Sequence, residues 1–393
     1  MGRFRDALAR PGLQAIAEVK RRSPSAGDLR PDADPATLAR SFGLAGAAAV
    51  SVLVDERFGG SIDDLRAARV ATDAPLIGKG FFSQEAQIRE LAEAGADAFL
   101  LILRDLSDEQ VVRLRSYGAE LGLDALIEAH DAAELSRGLA LGADPIGVNC
   151  RDLSNFAIDR RRQLALLAGI PPDRVIVAES GIWSRAQAAE AELAGASAVL
   201  VGSALMRAPS PAAKLSELIS RPLVKVCGLT RQEDVDAAAE AGADLAGFIL
   251  AAESPRQAPR VLELPETMLS VAVLVGERRE TAADLTQLYR RENGHRGRDA
   301  ILYMGDRPVA SVFDLPWEHQ DPGHLNRVAV AAREKRVMLA GGLGPDNVAA
   351  AIERVQPWAV DASSALETVP GIKDHDRVRA FVRAARLVSY ARV

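Results

Sequence analysis

Short runs of apolar, often β-branched residues alternate along this chain with longer stretches rich in Ala, Leu, Glu and Arg. The short runs are apolar at successive positions, which is typical of strands that are buried on both faces of a sheet. The longer stretches have the length and composition of helices. Their regular alternation predicts βα units around a parallel sheet, so we expect an α/β protein.

A Gly-Ala pair recurs just before several of the apolar runs, at intervals of about fifty residues. Glycine at this position supplies the positive φ of a helix C-cap, and the next strand begins at once. A (β/α)8 barrel of about 250 residues uses roughly 30 residues for each unit, so the repeat marks alternate strands of a barrel. The recurring pairs begin at Gly46, Gly95, Gly142, Gly195 and Gly242.

Eight apolar runs in the first half predict one complete barrel. These predicted strands cover residues 15–20, 48–54, 75–80, 98–103, 125–129, 146–149, 175–179 and 198–202. The pattern begins again at Leu223–Cys227, after the short segment 220–222, which places a domain boundary near Arg221. We therefore predict two consecutive (β/α)8 (TIM) barrels, over residues 1–220 and 223–393.

The second half is not a full copy of the first. About 100 residues separate the runs that begin at Ala98 and Ala198, whereas 59 residues (359 − 300) separate Ala300 from Ala359. At roughly 30 residues for each unit, at least one βα unit is missing or reduced to a loop, around residues 300–337. The polar segment 314–326 is typical of such a loop.

Composition narrows the functions that two such barrels can serve. The net charge is −6 and basic residues are spread along the chain, which argues against nucleic-acid binding. The apolar runs have the length of strands, so neither a membrane span nor a signal segment is predicted. The two cysteines, Cys150 and Cys227, exclude a disulfide framework and favour the reducing cytoplasm.

Active sites of these barrels lie at the carboxyl ends of the strands, so polar residues that end strands are candidates for chemistry. In the first half this rim collects two lysines and three glutamates, which can share protons and shift one another's pKa values. Any one of them alone is more simply a solvated strand end, but the full set favours acid–base catalysis. The set comprises Glu18, Lys20, Lys79, Glu128 and Glu179, with Asn149 at the end of the sixth strand.

Phosphate recognition has its own pattern in the first half. Ser180 and Gly181 follow the seventh predicted strand, and Gly202 and Ser203 follow the eighth. Barrels commonly bind phosphate at these two positions, through backbone N–H groups. We therefore expect phosphorylated small molecules as partners, and a monomeric protein. Neither a metal-ligand cluster nor a GxGxxG motif after the first strand is present, so no cofactor is implied.

Residues 4–218 resemble indole-3-glycerol-phosphate synthases. The segment AEVKRRSPS at 17–25 carries most of the resemblance, together with Lys79-Gly80-Phe81, Asn149 with Arg151, and Glu179 with Ser180. The resemblance implies ring closure, decarboxylation and dehydration of 1-(2-carboxyphenylamino)-1-deoxyribulose 5-phosphate. It also implies roles for each residue. Lys79 activates the carbonyl, while Lys20, Glu18 and Glu128 transfer protons. The residues that hold the substrate's carboxylate, ring and hydroxyls are Phe81, Asn149, Arg151, Glu179 and Ser180. Those that hold its phosphate are Ser23, Gly181, Gly202 and Ser203.

Three departures from the synthase pattern affect this expectation. Gly80 stands where the family has Asp, and Cys150 stands where it has the second Asn of a pair. The first predicted strand also lies close to the start of the chain, which leaves little room for the family's N-terminal helical extension. Since no proposed catalytic group is lost, we expect a slower or looser synthase.

The second half resembles phosphoribosylanthranilate isomerases. The matching motifs are KVCGLTR at 225–231, SPR at 254–256, AGGL at 340–343 and DASSALE at 361–367. The resemblance implies an Amadori rearrangement with Cys227 as general base and Arg256 on the anthranilate moiety. It assigns the phosphate to Gly342, Ser363 and Ser364. A free cysteine is more commonly a small core residue, but the surrounding motif favours the catalytic role.

The general acid of this second reaction is the open point. The family places an Asp at the end of strand six, before a Gly-rich loop that this chain lacks. In this chain strand four is predicted to end at Tyr303-Met304-Gly305, where the family has a Leu-His-Gly motif. Asp314 is the carboxylate that could serve as the general acid. We expect this half to bind a ribose phosphate but to isomerise it very poorly, unless Asp314 serves as the acid. Two alternatives stay open: a non-catalytic phosphate-binding or stabilising C-terminal module, and a phosphosugar-binding protein throughout.

Overall fold

The computed structural model describes residues 2–23, 27–151, 156–292, 295–315, 321, 323–388 and 390–391. The chain forms two compact units, each built around a closed eight-stranded barrel. This arrangement confirms the predicted fold class. In the described residues, no helix is both long and apolar enough to cross a membrane.

All eight strands of the N-terminal barrel run parallel and follow one another around the ring, with β1 closing against β8. The strands are β1 (Gln14–Val19), β2 (Ala49–Leu53), β3 (Leu76–Lys79), β4 (Ala98–Ile102), β5 (Asp124–Ala129), β6 (Ile146–Asn149), β7 (Ile176–Glu179) and β8 (Ala198–Val201). Each coincides with a predicted strand to within one or two residues. The pattern of apolar runs therefore located the whole ring correctly.

Apart from α1, which precedes β1, the helices of this unit follow the strands, as βα units require. They are α1 (Arg3–Leu8), α2 (Pro35–Leu44), α3 (Ile62–Ala71), α4 (Glu85–Glu93), α5 (Asp108–Glu120), α6 (Ala132–Ala140), α7 (Arg160–Ala168), α8 (Arg185–Ala194), α9 (Ser203–Arg207) and α10 (Pro211–Ile219). Local capping defines their ends. Ser61 and Asp64 form a capping box at the start of α3, and Gly95 adopts a φ of 88° just after α4.

Apolar side chains fill the N-terminal barrel below its polar rim. The core includes Ile16, Ile77, Leu100 and Leu126, all 2% exposed or less. Phe4 of α1 belongs to the same cluster. Burial of these side chains fixes the strands against one another, so the polar residues at their carboxyl ends are carried on a rigid frame.

The C-terminal barrel also closes with eight strands, but one of them is reversed. The strands are β9 (Leu223–Cys227), β10 (Leu245–Ile249), β11 (Leu269–Val275), β12 (Leu285–Glu292), β13 (His295–Met304), β14 (Arg307–Phe313), β15 (Val337–Leu339) and β16 (Ala359–Ala362). Strand β13 pairs antiparallel with both of its neighbours, and every other pair is parallel. The helices are α11 (Gln232–Glu240), α12 (His324–Glu334), α13 (Val348–Val355) and α14 (His375–Leu387).

The C-terminal half is shorter than the N-terminal half because its described residues contain fewer helices, not fewer strands. Between Ile249 and Arg307 the described residues contain no helix. A parallel pair of strands needs a crossover of a dozen or more residues, whereas an antiparallel pair needs only a tight turn. Two successive reversals, before and after β13, restore the original direction at β14. The ring therefore closes with eight strands although the chain is shorter.

This reversal corrects the predicted strand order. The strand that contains Ala300 is the fifth of the barrel, not the fourth. Because it runs backwards, Tyr303 pairs with Thr286 at the amino end of β12, so the predicted strand end at 303–305 lies away from the catalytic rim. His295 pairs with Glu292 at the carboxyl end of β12. The start of β13 is therefore the part that reaches the catalytic rim.

The predicted loop 314–326 is only partly described. Asp314 follows β14 directly, and α12 begins at His324, so the last three residues of the predicted loop are helical. Residues 316–320 and 322 lie outside the described residues, as do residues 24–26 and 152–155 of the synthase motifs.

Candidate active sites of the two barrels

A lysine surrounded by three glutamates lies at the centre of the N-terminal rim. Lys79 Nζ lies 2.6 Å from Glu179 Oε2, and 3.7 Å from both Glu18 Oε2 and Glu128 Oε2. Lys20 Nζ lies 2.7 Å from Glu18 Oε1. The strands β1, β3, β5 and β7 each supply a member because their carboxyl ends converge. The predicted set of two lysines and three glutamates is thus one cluster.

Burial and mutual charge separate the protonation states of this cluster. Burial alone would lower the pKa of Lys79, but the three carboxylates outweigh it and raise that pKa, so the side chain stays an ammonium. Burial raises the pKa of Glu18, yet Lys20 and Lys79 more than reverse this and lower it. Burial also raises the pKa of Glu128, but the neighbouring Lys79 and His130 outweigh this effect and lower the pKa to about 2.

Glu179 behaves in the opposite way. Burial and the neighbouring charge of Glu128 raise its pKa to about 8, although Lys79 opposes the shift. At neutral pH the cluster therefore holds an ionised Glu128 next to a protonated Glu179. Pairs of carboxyl groups whose environments push their pKa values apart are typical of acid–base sites.

Two glycines are required by the close approach of these carboxylates. A Cβ on Gly202 would lie 2.3 Å from Glu18 Oε1, and a Cβ on Gly147 would lie 2.3 Å from Glu179 Oε1. Any larger side chain at either position would push the carboxylate out of the cluster. Gly202 was predicted for phosphate, and it serves this packing role as well.

A cavity of about 140 Å³ opens above the cluster. Glu179, which contacts Lys79, does not line the cavity, whereas the remaining residues predicted for this site all do. They are Glu18, Lys20, Ser23, Lys79, Phe81, Glu128, Asn149, Arg151, Ser180, Gly181, Gly202 and Ser203. Ser180 has a φ of 68°, a strained conformation for a residue other than glycine that is common at functional sites.

Sequence reasoning missed several residues around this cavity. Phe58 lies on the wall with Phe81, their ring centroids 6.3 Å apart, and Arg57 stacks over Phe81 at 4.1 Å. Trp183 also lines the cavity. His130, just beyond β5, contacts Glu128 at 3.1 Å. The available signal for His130 was its position two residues after Glu128 and four before Glu134.

In the C-terminal barrel, a cavity of about 500 Å³ lies at the catalytic rim. All six residues predicted for this half line it: Cys227, Arg256, Asp314, Gly342, Ser363 and Ser364. Arg256 Nε also donates to Glu367 Oε2 at 2.8 Å, which fixes the direction of its guanidinium.

Asp314 stands at the carboxyl end of the sixth strand, β14. The expectation that this half lacks a segment to place an acid is therefore wrong, since β14 itself brings Asp314 into the cavity with Cys227. Its Oδ2 accepts hydrogen bonds from Tyr289 Oη at 2.8 Å and Arg296 Nη1 at 2.6 Å. Arg296 also stacks over the Tyr289 ring, 4.2 Å from its centroid.

Cys227 ends β9 above a buried polar network. Lys225 Nζ donates to Asp361 Oδ2 at 2.7 Å and to Gln287 Oε1 at 2.8 Å, and Gln287 Nε2 donates to Tyr289 Oη at 2.8 Å. Burial raises the pKa of the Cys227 thiol, and the nearby charge of Lys225 opposes this only in part. Burial and Asp314 raise the pKa of Tyr289, so its hydroxyl keeps its proton and acts as a donor.

Comparison with known proteins agrees with this division. The family model of indole-3-glycerol phosphate synthase matches residues 2–218, and that of N-(5'-phosphoribosyl)anthranilate (PRA) isomerase matches residues 323–384. The indole-3-glycerol phosphate synthase of a Nocardioides species is 51% identical over 203 residues, covering 51% of this chain and 77% of that protein.

One further relative extends over nearly the whole chain. The multifunctional tryptophan biosynthesis protein of Schizosaccharomyces pombe is 33% identical over 462 residues, covering 96% of this chain. The chain spans 60% of the length of that relative. The crystal structure of TrpF from Jonesia denitrificans is 27% identical, covers 43% of this chain and 98% of its own, and has a TM-score of 0.34.

The fold and the cluster around Lys79 define a barrel enzyme of acid–base chemistry. The chain belongs to the indole-3-glycerol phosphate synthase family. Its synthase barrel is joined to a PRA isomerase-like barrel, so the resemblances found in both halves of the sequence are confirmed.

Proposed function

We propose that the N-terminal barrel converts 1-(2-carboxyphenylamino)-1-deoxyribulose 5-phosphate into indole-3-glycerol phosphate, carbon dioxide and water, as a step of tryptophan biosynthesis. The observation that carries the proposal is a mostly buried ammonium, Lys79, held among carboxylates in a cavity that also contains the expected phosphate-binding loops. Buried charges of this kind are costly to maintain and are typical of catalytic sites.

Lys79 would act in ring closure. As the aromatic carbon that bears the carboxylate attacks the carbonyl carbon, negative charge develops on the carbonyl oxygen, and the ammonium donates a proton there. Loss of carbon dioxide then restores the aromatic ring. In the dehydration, Lys20 supplies a proton to the departing hydroxyl, and Glu128 accepts the proton that the ring system releases. Glu18 holds Lys20 in place, at 2.7 Å.

Binding groups surround this set. The substrate carboxylate matches Arg151 and Asn149, since a guanidinium and an amide donate hydrogen bonds to carboxylate oxygens. Phe81 offers an aromatic face to the anthranilate ring. The phosphate matches the loops after β7 and β8, through Gly181, Gly202 and Ser203, with the buried Ser23 beside them. Ser180 matches the hydroxyls, whereas the fully buried Glu179 does not line the cavity and acts through Lys79.

We propose that the C-terminal barrel isomerises phosphoribosylanthranilate. In its protonated form Asp314 donates a proton to the ribose ring oxygen as the ring opens, and Cys227, as the thiolate, removes the proton from the adjacent carbon, so that the rearrangement is balanced within the substrate. Arg256 holds the anthranilate moiety, and Gly342, Ser363 and Ser364 hold the phosphate. The placement of Asp314 and Cys227 in one cavity supports this active isomerase over the very poor one expected from the sequence.

Substitution of Arg296 by alanine is expected to lower isomerase kcat about 10- to 100-fold, because loss of its ion pair lets Asp314 leave its productive position. The synthase rate should not change. Steady-state assays of both reactions check this, with Arg290→Ala as the control, since Arg290 is an exposed arginine near the end of β12. An isomerase rate equal to that of the control variant would show that Arg296 does not position the acid.

We also propose that the protein is monomeric and cytoplasmic, and that its halves fold independently. A chain that ends at Ile219 contains the complete first ring of strands. We expect it to unfold in one cooperative transition and to keep its synthase kcat within about twofold, because catalytic residues on a separate core are not perturbed by the cut. Insolubility or a broad transition would place the domain boundary elsewhere. Sedimentation of the full chain tests its monomeric state.

A further inference from the structure

A buried histidine borders the synthase cluster without taking part in the reaction proposed above. His130 follows β5 directly and is 6% exposed. Its Nε2 lies 3.1 Å from Glu128 Oε1, and its Nδ1 lies 3.1 Å from Glu134 Oε2. The imidazole is therefore held between two carboxylates.

Glu134 fixes the orientation of this ring. It lies in the first turn of α6, where its backbone N–H donates to the N-cap residue Asp131 at 2.8 Å. Its Oε2 accepts a hydrogen bond from the backbone N–H of His130 at 2.8 Å. Arg104 Nε donates to its other oxygen at 3.3 Å. The carboxylate is thus anchored on three sides, and the histidine ring follows it.

Nδ1 is hydrogen-bonded to Glu134, whereas Nε2 lies at ion-pair distance from Glu128 without hydrogen-bond geometry. Because the neutral ring has a single N–H, a second proton on the ring places a positive charge beside Glu128. Burial opposes the charged form, and the charge of Arg104 opposes it further. Glu128 and Glu134 outweigh both effects and raise the pKa of His130. His130 therefore places a positive charge directly against Glu128.

Lys79 by itself would favour the ionised form of Glu179 rather than that of Glu128. Its Nζ lies 2.6 Å from Glu179 but 3.7 Å from Glu128, so the lysine alone stabilises the charge of Glu179 more strongly. Two carboxylates that share a buried site resist ionising together. A second cation beside one of them decides which of the two keeps its negative charge.

We propose that His130 is a positioning residue of the synthase, which makes Glu128 the ionised base and leaves the shared proton on Glu179. This inference rests on the proposed role of Glu128 in dehydration. His130 keeps its own protons throughout the cycle and acts only through Glu128. Glu134 matters because it holds the histidine ring in the orientation that makes this contact.

The test is the pH dependence of synthase kcat and KM in the full-length protein. Compared with wild type, His130→Gln should move the acid limb of kcat from strongly acidic pH toward the neutral range, because without the neighbouring cation the shared proton passes from Glu179 to Glu128. Near neutrality we expect kcat to fall about tenfold with KM changed by less than about twofold, since the substrate contacts remain. Glu134→Gln should shift the same limb in the same direction by less.

His375→Gln is the matched control, because His375 lies in the other barrel and contacts Asp234. A uniform loss of kcat in His130→Gln with an unmoved acid limb would overturn the proposal and leave His130 a structural role. Should His130→Gln fail to fold, an unmoved limb in Glu134→Gln would overturn it equally. The variant Glu128→Gln tests the proposed role of Glu128 in dehydration separately. Full synthase activity in Glu128→Gln would refute that role. An inactive Glu128→Gln together with a wild-type pH profile in His130→Gln would refute only the inference about His130.

Discussion

Replacement of Lys79 by alanine is expected to lower synthase kcat by roughly 10²–10⁴-fold or more, because a positioned proton donor contributes about that much and its charge stabilises the developing oxyanion as well. Ring closure depends on this one ammonium in the proposed mechanism. Isomerase activity should be unchanged. The rates of both reactions, measured on the purified full-length variant, check the expectation.

A matched control is Lys214→Ala, since Lys214 lies on α10 and pairs with Glu217. This variant should keep the wild-type synthase rate. A near-wild-type rate in Lys79→Ala would instead remove Lys79 from the proposed mechanism, whatever its structural surroundings.

The same substitution should change how stability depends on pH. Without Lys79, Glu18, Glu128 and Glu179 share a buried site with less compensating charge, so their pKa values in the folded state rise above the unfolded value of about 4.3. The folded variant then binds more protons than the unfolded chain. Its free energy of unfolding should therefore fall as pH rises above about 4.3 and through the folded pKa values. Denaturant unfolding of both proteins between about pH 5 and pH 8 measures this difference.

Removal of either proposed acid–base residue of the C-terminal barrel should have the second large effect. We expect a wild-type isomerase kcat/KM of about 10⁴ M⁻¹s⁻¹ or higher, falling by roughly 10²–10⁴-fold in Cys227→Ala and in Asp314→Asn. The double variant should be little worse than either single one, because an acid–base pair acts as a unit.

The pH dependence of the isomerase adds an independent check. Burial raises the pKa of Cys227 above its ordinary value, and the thiolate is the basic form. The fraction of Cys227 present as thiolate, and any step of the isomerase that proton removal by Cys227 limits, should therefore increase with pH throughout the neutral range. Cys150→Ala is the control, since Cys150 belongs to the other barrel and should leave the isomerase unaffected. A barely measurable wild-type rate with intact phosphate binding would instead favour the non-catalytic module.

The sequence by itself determined the ring of the synthase barrel and the residues on its rim. The apolar runs are local signals, because a strand buried on both faces must be apolar along its length. A parallel barrel also places every strand end on the same rim, so Lys79, Glu128 and Glu179 could be assigned to one site without knowledge of any distance.

Only the tertiary structure decided the direction of β13 and therefore the identity of the groups around Asp314. An antiparallel and a parallel strand have the same apolar pattern, so nothing local distinguishes them. The distances from Lys79 to its three glutamates likewise arise between segments far apart in the chain. Charge, burial and protonation in both sites depend on those distances, and closure of the barrels sets them.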